Sequence, residues 1–503
     1  MINSEKLKEK VIKGSSTVLI LAFLGSVCAY LIRILLSHSL TIENYGLFYA
    51  TFGLFSMATV YADLGFGYSV VYLLPKFIKS KKYSKAWNIF IYGQLISLTM
   101  SLFISIVLII FAPMLAKYYF KVAGSEILIY IFCAYLVTFT AINSLIQIFS
   151  GMQKEKYYSS ITTARWLFSL VFSVVFLAFG FSNIIFFAVA WVLGHALTVI
   201  LFLFLLFKKH TFLTGNKITW ESKVFRQMSL LAIPALMETF VFSLAVTTDT
   251  FLLTFIRGVR EVGFYNVIYP LASIPIVLFN PVNALLLPLV SHLMEGEKGK
   301  MSYLIYKILE IVPFVGLYFV LFIIMFPSSI ISLMFGQKWL GSVEMPLIIL
   351  SLGSILVLMS GILGAITLGT GKVKEKLKVA AITSIVSIAL NVFLIWHYGV
   401  MGAVITTSVI NLMLNILFLR IIGKAVVFQI PYRLYLKLLV FSIACYIFIQ
   451  LLGVNPQSWV EFIIIGMIYT LVFVSFGLFL KVYDKKLIYM ILPGRMANNA
   501  NIK

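Results

Sequence analysis

Five ionisable side chains stand inside otherwise apolar stretches of this chain: Arg33, Asp63, Arg165, Glu238 and Asp249. A charge at the middle of a membrane helix costs about 3 kcal/mol on insertion scales, so it normally faces protein or water. Under a shift of 217 residues Arg33 falls on Thr250, beside Asp249, so the two opposite charges occupy nearly equivalent points of two halves. They are candidates for an opposed pair across a central cavity; the alternative is that each tethers only its own neighbours. Glu238 precedes Asp249 by 11 residues, three turns of about 3.6 residues each, which puts both carboxylates on one side of a helix. Either is a candidate carrier of H+ or Na+. Arg165 lies two turns into the fifth apolar segment, where it either snorkels to the interface or offers its planar fork to a phosphate. Asp63 is followed by Leu64-Gly65-Phe66-Gly67, a sequence able to break or cap a helix where water enters.

Catalytic chemistry has no comparable signal. No HExxH, GxSxG, P-loop or dinucleotide fingerprint is present. Cys28, Cys133 and Cys445 have neither metal nor disulfide spacing and read as small core residues, so no metal and no cofactor are expected. His195, near the middle of the sixth apolar segment, is a proton carrier or, more simply, a packing residue.

The elements that must position these groups are membrane helices. Hydrophobic residues make up 62% of the chain and charged ones 11%, and the mean hydropathy is +1.06, whereas soluble domains carry about 25% charged residues. A hydrocarbon core of about 30 Å needs about 20 apolar residues per helix. That window gives fourteen spans, including 15–38, 45–70, 158–179, 184–207, 227–255, 264–292 and 304–326. Nothing alternates as the strands of a membrane barrel would. The first span carries Arg33 and leads into Glu43-Asn44, not into a cleavage site, so it is expected to stay in the membrane. Lys307, Glu310 and Glu461 fall near segment ends and are expected at the interface; Pro270, Pro275, Pro281 and Pro288 invite kinks in and around the eighth span.

Two loops repeat. Gly151-Met152-Gln153-Lys154-Glu155-Lys156 returns 220 residues later as Gly371-Lys372-Val373-Lys374-Glu375-Lys376, and Glu43-Asn44-Tyr45-Gly46-Leu47-Phe48 is answered 217 residues later by Arg260-Glu261-Val262-Gly263-Phe264-Tyr265. The chain therefore reads as a duplicated bundle, a signature of alternating-access transporters. The expected division is a six-helix repeat over 1–207, a linker over 208–226, a second six-helix repeat over 227–424, and two added helices with a tail over 425–503. An even number of helices per half relates the halves by a pseudo-two-fold axis along the membrane normal. Thr211 to Ser222 reads as a flexible surface linker.

The net charge of +22 belongs to topology. With the N-terminus in the cytoplasm, 32 of the 39 basic residues fall in cytoplasmic loops and tails and five, Lys117, Lys121, Arg257, Arg260 and Lys338, fall outside. By the positive-inside rule both termini are cytoplasmic, and the basic face attracts anionic membrane lipid instead of nucleic acid.

Arg33, then Glu43 to Phe48, then Asp63-Leu64-Gly65 resemble the N-terminal signature of the polysaccharide biosynthesis flippases, the Wzx-type branch of the multidrug/oligosaccharidyl-lipid/polysaccharide exporter superfamily. Pro234, Asp249 and Glu261 to Tyr265 resemble its seventh-helix pattern and the turn after it. The resemblance implies an all-α integral membrane fold of about 14 helices, two V-shaped six-helix bundles plus two C-terminal helices. It implies a non-enzymatic flippase in the cell membrane of a bacterium or archaeon, moving a lipid-linked oligosaccharide to the outer leaflet with polysaccharide assembly proteins as further partners. The substrate-binding role of cationic cavity residues carries over to Arg33 and Arg165, with Asp63, Glu238 and Asp249 as coupling or cavity groups. Alternatives are a multidrug or lipid II-type exporter of the same superfamily, or a membrane enzyme; the latter would need an outer loop longer than any this chain has.

Overall fold

Seventeen long or medium helices carry the described chain. The computed structural model describes residues 4–211, 215–294 and 298–480, the side chains at 4–17, 19, 238, 241–247, 280–285, 288 and 298 excepted. In chain order the helices are α1 Ser4–Ser39, α2 Ile42–Ala62, α3 Phe66–Lys79, α4 Tyr83–Ile110, α5 Glu126–Gly151, α6 Glu155–Ala178, α7 Ile184–Lys209, α8 Ser222–Arg257 and α9 Val259–Ala272. They continue as α10 Ile274–Met294, α11 Lys298–Met325, α12 Pro327–Phe335, α13 Glu344–Gly369, α14 Val373–Tyr398, α15 Val400–Gly423, α16 Tyr432–Leu452 and α17 Trp459–Phe479. Among the described residues there is no strand. Among the described residues eleven helices are long and apolar enough to cross a membrane, or twelve counting the bent pair α2–α3 as one span.

Two of the expected spans are each divided into two helices. The second divides at residues 63–65 with a bend of 48° between α2 and α3. Gly65 has φ +77° and packs so closely on α8 that an added Cβ would stand 2.2 Å from the Ala232 carbonyl oxygen, a position only glycine fills without strain. The eighth span divides at Ser273, between Pro270 and Pro275, into α9 and α10: each proline lacks the N–H that would continue the ladder.

The chain forms two units, residues 1–263 and 264–503. In the first, α6 pairs with α7 and α1, α5 with α4 and α7, and α8 lies along α2 and α3. Its core includes Val70, Trp87, Ile89, Phe149, Phe202 and Met228. The segment before α8 is not a free linker. Asn88 of α4 bonds Thr219 through both ends of its amide, at 3.0 and 3.1 Å, the Glu221 N–H donates to the Tyr92 hydroxyl at 2.8 Å, and Lys85 pairs with Glu221 at 2.9 Å. These donors and acceptors would otherwise be left to water, and they pin residues 219–221 to α4.

In the second unit α13 is the hub, packed by α10, α11 and α15, while α16 rests on α11. Its core includes Leu286, Val290, Ile308, Ile362, Ile366 and Phe418. Lys307 and Glu310, expected at the interface, are each 8% exposed and pair at 2.6 Å within α11, which begins six residues earlier than the expected span. Glu461 is exposed in the first turn of α17, where its carboxylate accepts from the Gln457 N–H at 2.9 Å.

Candidate functional site

Five helices of the first unit converge on one aromatic cluster, and both candidate arginines sit on it. Arg33 of α1 places its guanidinium 4.5 Å from the centre of the Tyr49 ring on α2 and hydrogen-bonds Tyr45 one turn earlier. Tyr49 meets Trp191 of α7 at 6.5 Å, and Trp191 meets Trp166 of α6 at 5.4 Å. Arg165 closes the far end, its guanidinium 5.2 Å from the Trp166 ring and 5.4 Å from Phe139 of α5. The sequence separates these two cations by 132 positions, and the fold joins them through rings no more than 6.5 Å apart. Cation–π contacts of this kind are worth about 2 kcal/mol or more where water is excluded.

Arg165 does not snorkel. Its helix starts at Glu155, so it stands about 15 Å along the axis, near the midpoint, by the rise of about 1.5 Å per residue. Its Nε is buried without an acceptor, and among the described residues no carboxylate pairs with it. A guanidinium keeps its charge in a protein, so this is a half-buried cation within a membrane-spanning helix, set against the aromatic faces of Trp166 and Phe139.

His195, one turn after Trp191 on α7, shares the cluster. It is 1% exposed and lies 5.0 Å from Tyr135 and 6.2 Å from Trp166. Its Nδ1 is 2.8 Å from the Trp191 carbonyl oxygen. A carbonyl only accepts, so Nδ1 carries the proton and Nε2 of the neutral ring presents a lone pair; Nε2 has no partner. The Trp191 Nε1–H, in a side chain 3% exposed, has none either.

Asp63 is spent on the protein. Its two oxygens accept from the Gly67 N–H at 3.1 Å, and one accepts from Ser97 of α4 at 3.3 Å and Gln147 of α5 at 3.2 Å. The carboxylate thus caps α3 and ties the α2–α3 break to two neighbours. Asp249 is half-buried on α8. The next residue, Thr250, packs on Gly53 of α2, where an added Cβ would stand 2.7 Å from its Cγ2. Gly53 lies one turn from Tyr49, so the turns bearing Arg33 and Asp249 flank the same stretch of α2. The Glu238 side chain lies outside the described residues. The joining rings Trp166, Trp191 and Tyr135 were missed from sequence; the only signal there was Trp191 and His195 at i and i+4 in a 26-residue apolar helix.

The echoed turns also meet. Glu43 and Arg260, equivalent under the 217-residue shift, lie 3.7 Å apart. Gly46 and Gly263 are equivalent too, and a Cβ added to Gly263 would stand 3.4 Å from the Gly46 Cα. A Cβ on Gly46 would fall 1.9 Å from the Val259 carbonyl oxygen.

Long apolar helices with ionisable groups at Arg33, Asp63, Arg165 and Asp249 define a multi-pass membrane protein. The chain matches the family described as polysaccharide biosynthesis protein over residues 11–294, more than half of its length, and it belongs to that family. An uncharacterized membrane protein of Methanocaldococcus jannaschii is 26% identical over 413 residues, 80% of this chain and 81% of the relative. The capsular polysaccharide biosynthesis protein CapF of Staphylococcus aureus is 26% identical over 186 residues, 37% of this chain and 47% of the relative. The fold is that of the lipid II flippase MurJ in its inward closed conformation, with a TM-score of 0.73 at 16% identity over 93% of this chain and 99% of that one. An inward-facing multidrug transporter of the MATE family superposes with a TM-score of 0.68 at 17% identity over 81% of this chain and 94% of that one.

Proposed function

We propose that this protein flips a polyprenyl-diphosphate-linked oligosaccharide from the cytoplasmic to the outer leaflet by alternating access, with both termini in the cytoplasm. The observation that carries the reading is Arg165: a permanent cation at mid-helix, without an anionic partner among the described residues, calls for an anion from outside the protein. A diphosphate supplies it, and a guanidinium fork suits its oxygens. Arg33, on the same cluster, offers a second fork. The hydrated head group is too polar to cross about 30 Å of hydrocarbon unaided, while an isoprenoid tail is at home there. In the second unit an apolar groove of about 680 Å³, walled by Tyr318, Phe322, Met334, Phe462 and Met467, has the lining an isoprenoid segment needs. Asp249 is the favoured group for coupling to H+ or Na+.

Mass spectrometry of lipid-linked sugars from cells lacking the gene tests the reading. The expected result is accumulation of one intact polyprenyl-diphosphate oligosaccharide; an unchanged lipid-linked sugar pool would overturn it.

A further inference from the structure

Phosphate binding leaves the rings between the two arginines unexplained. An aromatic face carries the negative side of its quadrupole and gives an anion nothing, yet Tyr49, Trp191 and Trp166 run from one guanidinium to the other. Besides Arg165 Nε and the Tyr49 hydroxyl, the cluster holds two further unpartnered polar atoms, the Trp191 Nε1–H donor and the His195 Nε2 acceptor, both in side chains at least nine-tenths buried. Buried polar atoms are nearly always satisfied, so each such atom needs a reason. A polyprenyl chain has no hydroxyl to offer them, and a fully ionised diphosphate cannot donate to His195 Nε2. A sugar ring matches the whole set: its C–H face is apolar and packs on aromatic planes, while each rim hydroxyl both donates and accepts.

We propose that this cluster is a saccharide-stacking shelf, which holds the sugar adjoining the diphosphate. Trp166 and Phe139, half-buried between Arg165 and the buried floor, are the stacking faces. Trp191 and His195 form the floor, meeting Trp166 edge-on at 5.4 and 6.2 Å, and receive two ring hydroxyls when the Trp166 side chain shifts to admit the sugar. The arginines select the charge and the rings select the glycan. This proposal rests on the flippase reading above and adds to it the part of the substrate that distinguishes a loaded carrier lipid from an empty one.

The test uses the full chain in lipid nanodiscs and three probes: undecaprenol, undecaprenyl diphosphate, and undecaprenyl diphosphate bearing one N-acetylglucosamine. The sugar-bearing lipid is expected to bind about tenfold more tightly than the bare diphosphate, a gain of the size base–aromatic stacking gives other proteins. Trp166→Leu should erase that gain, bringing the two diphosphates to equal affinity even as loss of the ring beside Arg165 weakens both, and a retained preference of both over undecaprenol shows that the variant is folded; Trp166→Tyr, which keeps a ring beside Arg165, should restore the gain. Arg165→Ala should weaken both diphosphates alike. Equal binding of the two diphosphates to the unmodified protein, or a gain that survives Trp166→Leu, would overturn the shelf and leave the flippase reading standing. Diphosphates that bind no better than undecaprenol would sink both.

Discussion

Arg33 and Arg165 were legible from sequence because a cation in an apolar run is conspicuous whatever surrounds it. Their surroundings were not, since the rings that join them come from four further points of the chain and only folding brings those together. Arg165 also shows how a boundary error becomes a functional one: with the helix placed three residues late the side chain seemed able to reach the interface, whereas the observed start at Glu155 puts it near the middle. At Arg33 two roles separate by substitution. Arg33→Lys keeps the charge and loses the fork; Arg33→Ala loses both. If Arg33 meets a diphosphate, complementation assays should show Ala abolishing export at normal protein levels, with Lys retaining part of it. Asp249→Asn should impair export less if Asp249 serves coupling. The turns bearing Arg33 and Asp249 flank the same stretch of α2, so the double substitution Arg33→Ala with Asp249→Asn is decisive. Recovery of export in the double variant would make the two a structural pair, because losing both charges costs less than leaving one uncompensated.

At the scale of elements, the sequence disclosed where helices end more reliably than how they continue. Asp63-Leu64-Gly65 was readable as a break, and the structure bends there by 48°; the break at Ser273 was signalled by flanking prolines but not located. The docking of the echoed turns was hidden, since a repeat in sequence says that two segments are alike and not that they touch. They touch through glycines. At Gly46 an added Cβ would meet backbone, the Val259 carbonyl oxygen at 1.9 Å, and backbone cannot rotate aside as a side chain does. Gly46→Ala must therefore separate α2 from the start of α9. Overpacking of this sort costs about 1–3 kcal/mol, occasionally more. Thermal unfolding in detergent should show a clear loss of stability for Gly46→Ala and almost none for Gly299→Ala, where the added Cβ meets nothing within 4 Å. Equal midpoints for the two variants would mean that α2 and α9 part easily and that the contact does not hold them.

At the scale of the whole molecule, orientation is a matter of charge, and charge is fully written in the sequence. Of the 39 basic residues 32 fall on one side of the proposed topology and five on the other. Insertion follows this count in short loops because cationic segments are retained in the cytoplasm. The helices give a check on the parity behind it: α4 begins two residues after Lys81 and ends seven before Lys117, so a single crossing of 28 residues separates them. Those two lysines must then lie on opposite sides, whichever way the protein faces. The same parity puts Lys209, at the end of α7, with Lys81, and Lys338, between α12 and α13, with Lys117. All four side chains are exposed, so cysteine replacements there are open to an impermeant thiol reagent, in a background where Cys28, Cys133 and Cys445 are replaced. In intact cells, Lys117→Cys and Lys338→Cys should label and Lys81→Cys and Lys209→Cys should label only after permeabilisation. The reverse pattern would invert the protein and, with it, the direction of the proposed transport. Labelling of Lys81→Cys together with Lys117→Cys from outside would show instead that α4 does not cross, and no orientation would rescue the topology.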